Sequence, residues 1–172
     1  MIKKNLNLTI SEPSWIQALP DVETISGEVF SQVLAYVNSH EEIDFLKLEK
    51  PIEANLCLSN DSEVHALNRE FRHKDKPTNV LSFASIDDEY FEEDCLSNDI
   101  IELGDIIIAL ETMQQEAAGQ EITLHDHYCH LLAHGLLHLL GYDHMEEDEA
   151  AHMESFETAI LHQMNISNPY EE

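Results

Sequence analysis

Positive charge is what this chain has least of. Eight of its 172 residues are Lys or Arg, against 35 Asp or Glu, for a formal net charge of −27. Taken as a sum, that charge repels nucleic acid and reads as a solubilising acidic surface. Cysteine is also scarce. Cys57, Cys95 and Cys129 are odd in number, far apart and without a C-x-x-C pair. That excludes a disulfide framework and fits a reducing cytoplasm. No apolar run approaches the roughly 18 residues of a membrane span, which excludes a transmembrane helix. The first ten residues lack the apolar core of a secretory signal and alternate like a strand instead. The chain is therefore expected to be cytoplasmic, with no membrane partner. Hydrophobic residues make up 43% of it, which places it with globular rather than disordered proteins. Its length suits a single domain over 1–172, with no repeat, low-complexity segment or linker, and with 166–172 as a loose tail.

The few cations are not scattered. Arg69, Arg72, Lys74 and Lys76, half of the total, fall within eight residues. Such a chain carries one basic spot on an acidic body, so an anionic ligand is steered to that spot and repelled elsewhere.

Hydrophobic periodicity marks the elements. Leu6, Leu8 and Ile10 lie on one face of a strand, and Pro13 to Pro20 reads as a connection. Residues 24–39 repeat at the helical period, and Ile52 to Leu58 alternate as a second strand. Asn60 or Asp61 caps a helix whose buried stripe is Val64, Leu67 and Phe71. Pro77 forces a loop over Lys74 to Asn79, and Val80 to Ala84 is a short strand. Residues 87–99 read as an acidic, structureless loop. Ile106-Ile107-Ile108 has the uninterrupted apolar character of a strand covered on both faces. Then come a short helix over Glu111 to Ala118, a helix opened by the capping box Thr123-x-x-Asp126, and a last helix from the acidic cluster Glu146 to Glu149 as far as Met164. The expected class is α+β, an α/β layer of about four strands in a small mixed sheet packed with about five helices.

The strongest pattern is His134-Gly135-Leu136-Leu137-His138-Leu139-Leu140-Gly141-Tyr142-Asp143-His144. Histidines four apart share one helix face, about 5–6 Å between Cβ atoms. Gly141 suits a left-handed cap, after which the chain returns and brings His144 to the same point. Three imidazoles leave the fourth position of a tetrahedral zinc open, the catalytic rather than the structural arrangement. His127 and His130 share the arc as polar neighbours or as groups supporting the ligands. Asp143 is either a turn residue or a carboxylate orienting a ligand. The spacing is also that of the metzincin peptidases, but their general-base Glu after the first histidine is here Gly135. A zinc centre without a local base suits a phosphodiester, whose charge metal and cations neutralise.

The run His134 to His144 resembles H-G-x-L-H-L-x-G-Y-D-H, the signature of the bacterial YbeY family. Leu67 to Phe83 resembles the family's L-N-x-x-Y/F-R-x-x-D-x-P-T-D/N-V-L-S-F, and Gly104-Asp105-Ile106-Ile107-Ile108 is a third match. One departure is Ala84, where members usually carry Pro. The resemblance covers essentially the whole chain. It implies a metal-dependent, single-strand-specific endoribonuclease that matures ribosomal RNA, notably the 3′ end of the small-subunit RNA, and takes part in ribosome quality control. It implies one Zn2+ held by His134, His138 and His144, an important arginine at Arg72, ribosomal partners, and a fold similar in part to zinc peptidases.

Joined, these readings give Arg72 a role against developing phosphorus charge. Lys74 and Lys76 either hold flanking phosphates or sit in a solvated turn. Two rival readings stand beside this one. A metallohydrolase of peptides or small molecules needs a carboxylate near the metal, for which Asp143 is available. A non-enzymatic ribosome-assembly factor needs zinc only to hold the fold.

Overall fold

The computed structural model describes residues 3–143 and 146–170. In chain order the elements are β1 (Lys4–Ile10), α1 (Ser14–Ala18), α2 (Val22–His40), β2 (Ile52–Ser59), α3 (Asp61–Arg72), β3 (Val80–Ala84), α4 (Phe91–Ser97), β4 (Ile101–Ala109), α5 (Leu110–Gln120), α6 (Leu124–Leu139) and α7 (Glu147–Gln163). The sheet order is β1-β2-β4-β3. β1, β2 and β4 run parallel, and β3 closes one edge antiparallel to β4. The α+β class and the four-stranded mixed sheet are as expected. No helix among the described residues is long and apolar enough to cross a membrane.

Strand alternation sorts side chains between two faces. Ile106 and Ile108 of β4 are fully buried within the main core beneath α2 and α6. Ala109 turns to the other face, where it meets Val64 and Leu81, with Leu67, Phe83 and Ile107 packed around them under α3. α6 therefore lies in the middle of the fold, between the sheet and α2, α5 and α7. Gly135 faces the sheet. A Cβ there would stand 3.2 Å from Ile106 Cδ1, Ile106 Cγ2 and Ser82 Oγ. At the β3–β4 pairing, Gly104 has φ +132° and is opposed by Ala84. A Cβ there would lie 2.1 Å from the Phe83 carbonyl oxygen, so only glycine lets the edge strand pair. The β2–β4 register slips beside it, as at a bulge.

The caps follow their sequence signals. Asn60 Oδ1 accepts from Glu63 N at 2.8 Å, and Thr123 Oγ1 accepts from Asp126 N at 3.1 Å.

Four expectations are corrected. Phe71, expected in the buried stripe of α3, is exposed, because the helix turns Val64 and Asn68 inward and leaves Phe71 at the rim. The connection after Pro13 contains α1, because Trp15 is fully buried, donates from Nε1 to the Ser59 carbonyl at 2.8 Å and meets Tyr128 edge-on. The acidic stretch 87–99 is not structureless. Phe91 and Cys95, four apart, are both buried and anchor α4, while Glu92, Glu93 and Asp94 occupy its first turn, where the helix dipole favours negative charge. With these two short segments the described residues hold seven α-helices rather than about five. The tail is not loose as far as it is described. Ile166 is buried, and Tyr170 Oη donates to Glu157 Oε2 at 2.6 Å.

Candidate metal and RNA site

The last turn of α6 builds the histidine end of the site. The helix carries no charged side chain from Cys129 to Leu139, and its buried leucines hold it rigidly in the core. It stops in a six-residue hydrogen-bonded cap: Tyr142 N donates to the Leu137 carbonyl and Gly141 N to the His138 carbonyl, each at 3.0 Å, with Gly141 at φ +103°. The same turn presents the Tyr142 carbonyl, which accepts from His138 Nδ1 at 2.9 Å. The glycine expected to end the helix thus also positions the acceptor that orients one histidine.

His134 is oriented from α7. Its Nδ1 lies 2.6 Å from Glu157 Oε1, and the Glu157 side chain is completely buried. Burial alone would raise that carboxyl. Hydrogen bonds from His130 and His134, the charge of His134 and the Tyr170 hydroxyl outweigh it and hold the pKa at about 2. Glu157 is therefore a pure acceptor. Burial, followed by the Glu157 carboxylate itself, pushes the Tyr170 phenol well above its ordinary value, so Tyr170 keeps the proton it donates to Glu157.

These partners fix both tautomers. A carboxylate and a backbone carbonyl only accept, so each Nδ1 carries a proton, and it is Nε2 that either ring would offer to a metal ion on losing its other proton. The two Nε2 atoms lie 3.0 Å apart. Two lone pairs at that distance repel unless a cation or a shared proton lies between them. This donor set, with each ring's second nitrogen tied to an oxygen, fits a metal ion. The third predicted ligand, His144, lies outside the described residues. Asp143 lines the same cleft.

The other wall comes from α3 and the edge strand. A cleft of about 520 Å³ is lined by His134, His138, Arg72, Lys74 and Lys76, among others. Arg72 is exposed; its Nη2 donates to the Ser82 carbonyl, and its guanidinium carbon lies 5.1 Å from the centre of the Phe83 ring. The lysine loop is clasped by Asn68, which is buried. The Asn68 carbonyl accepts from Lys74 N at 3.2 Å, and its side-chain amide donates to the Lys76 carbonyl at 2.9 Å. The two groups of predicted residues, 58 to 71 positions apart in the chain, thus face one cavity.

Sequence reasoning missed four supporting residues. Glu157 is one of 35 acids, but it falls inside the buried stripe of α7 with Met153, Phe156, Ile160 and Leu161. An acid at a core position of an amphipathic helix was the available signal. Tyr170 gave none. Asn68 sits one helical turn past Val64 on the buried face of α3. Asn79 lines the cleft while its amide donates to Glu116 at 2.9 Å, and Glu116 pairs in turn with His127 Nε2 at 2.9 Å. His127 therefore serves this second network. His130 serves the first: its Nε2 lies 3.5 Å from Glu157 Oε1 and 3.2 Å from Tyr170 Oη.

Comparison with known proteins follows the same lines. Residues 20–165 match the family model described as endoribonuclease YbeY. The endoribonuclease YbeY of Paramagnetospirillum magneticum is 44% identical over 160 residues, covering 93% of this chain and 92% of that one. The endoribonuclease YbeY of Rhodospirillum rubrum is 45% identical over 162 residues, covering 93% and 78%. The solution structure of TM1509 from Thermotoga maritima superposes with a TM-score of 0.53 at 18% identity, covering 97% of this chain and 99% of that one, and so shares the fold. With relatives this similar spanning nearly the whole chain, its kinship follows from sequence alone: it belongs to the YbeY family of endoribonucleases, hydrolases that act on RNA.

Proposed function

We propose that this protein is a metal-dependent, single-strand-specific endoribonuclease that matures ribosomal RNA, including the 3′ end of the small-subunit RNA, in the cytoplasm and in contact with the ribosome. The observation that carries the metal dependence is the convergence of His134 Nε2 and His138 Nε2 at 3.0 Å while both Nδ1 atoms are committed to acceptors. His134, His138 and His144 would hold one zinc ion. When bound, zinc supplies a Lewis acid for phosphodiester cleavage. Glu157 and the Tyr142 carbonyl keep the two imidazoles turned toward the ion. Arg72 binds a non-bridging phosphate oxygen with its planar fork and supports the charge that grows there. Lys74 and Lys76, on a loop held by Asn68, take neighbouring phosphates. An acidic body with three of its eight cations lining the cleft steers a polyanion to this one face.

The test is cleavage of a labelled single-stranded ribosomal RNA fragment, with and without chelator, beside His138→Ala prepared identically. Cleavage is expected to require metal and to fall by more than about a hundredfold in the variant, with loss of bound metal. Equal cleavage by the variant would sink the assignment.

A further inference from the structure

Behind β3 lies a second recess that the proposed chemistry does not use. It has a volume of about 360 Å³ and is lined chiefly by apolar side chains, including Leu67, Phe71, Phe83 and Ile107. Phe71 is 59% exposed although the apolar period of α3 includes it, and its ring meets Phe83 edge-on at 6.1 Å. Exposing an aromatic ring in water has a cost, and this one is flanked in sequence by Arg69, Arg72 and Lys74 in a chain of net charge −27. Arg72 joins the two recesses. It lines the catalytic cleft, donates to the Ser82 carbonyl on the edge strand, and its guanidinium lies over the Phe83 ring at 5.1 Å. Phe83 and Phe71 thus stand next to a cation of the cleft, within reach of a polyanion that leaves it past Arg72.

We propose that this recess seats one unpaired nucleobase of the RNA, flanking the scissile phosphate and stacked on Phe71 against Phe83, with its phosphate on Arg72 or Lys74. The proposal rests on the ribonuclease reading above. The occupant is argued from charge. The one carboxylate lining the recess, Asp105, accepts from Asn55 Nδ2 at 2.9 Å. That wall rejects a phosphate but accepts a neutral base, while the cations stand on the side facing the cleft. A second copy of the chain would bring another −27 against the first, which opposes self-association here. Every base has a π-face, so stacking of this kind holds single strands without reading sequence and excludes paired ones.

The experiment compares wild type, Phe71→Ala and Phe71→Trp on a single-stranded RNA and on copies carrying one abasic ribose stepped outward from the cleavage position. Melting temperatures check that the variants fold. Phe71→Ala is expected to raise KM about tenfold with kcat nearly unchanged, as for one lost base–aromatic stack. The penalty should vanish on a single member of the abasic series, and Phe71→Trp should restore KM. An unchanged KM in Phe71→Ala overturns the proposal. So does an equal penalty on every abasic substrate, or an effect confined to self-association in sedimentation. A wild type that does not cleave the RNA overturns the ribonuclease reading and this proposal together; wild-type cleavage with an indifferent Phe71→Ala overturns the stacking alone.

Discussion

The histidine wall and the cationic wall of the cleft are built by opposite means. His134 and His138 sit on a helix packed against the sheet and three other helices, and each ring is held by a hydrogen bond to an oxygen. Arg72, Lys74 and Lys76 are exposed, at a helix end and in a loop, and what is fixed is their backbone, through Asn68 and β3. The difference follows from the tasks. Metal ligands converge on a point and lose affinity when misplaced by a fraction of an ångström. Cations serving a flexible polyanion act over several ångströms and work from water. Mutations should accordingly hurt the first wall through geometry and the second through charge.

Glu157→Gln should show the largest contrast. The variant keeps the shape of the side chain but weakens the acceptor behind His134, so metal affinity is expected to drop by about ten- to a hundredfold, read by competition with a chelator. The same variant tests the acid limb of stability in the metal-stripped protein. Glu157 titrates at about 2 in the folded state, below its ordinary 4.5. Its contribution is therefore complete above pH 4.5 and disappears as pH falls toward 2. Glu157→Gln should flatten that part of a pH–melting profile, and an unchanged profile would contradict the buried carboxylate. Arg72→Ala comes next. Loss of one charge-assisted bond should lower kcat/KM on the order of tenfold, with metal affinity unchanged. Arg72→Lys should recover little of it, because the ammonium lacks the planar fork. Lys74→Ala and Lys76→Ala should have the smallest effects. Each is expected to reduce the slope of log binding constant against log salt by about 0.7, the value for one phosphate contact on a single strand. A metal-affinity loss in either lysine variant would show that the two walls are not independent.

The same contrast explains what could be read in advance. The histidine spacing, the glycine turn and the clustered cations are local patterns, visible because helix periodicity and cap chemistry act within a few residues. The helices α1 and α4 were hidden because each is held by one or two buried side chains, Trp15, Phe91 and Cys95, in segments otherwise polar or broken by proline. Glu157 and Tyr170 were hidden because their partners lie 23 and 40 positions away on His134 and His130. No window of sequence contains such a pair. That α6 would lie against the edge strand, bringing 134 and 138 opposite 72, depended on strand order, which periodicity does not encode.

Gly135 has a consequence for what this scaffold can become. Its missing Cβ faces Ile106 and Ser82 of the sheet. A glutamate introduced there, after the first histidine as in the metzincins, would start from a Cβ 3.2 Å from Ile106 and Ser82, so those neighbours would have to give way and the side chain would set out toward the floor rather than the cleft. One substitution therefore does not convert this fold into a peptidase. A base for peptide chemistry at this position would need room made at Ile106 and Ser82 as well as the substitution itself.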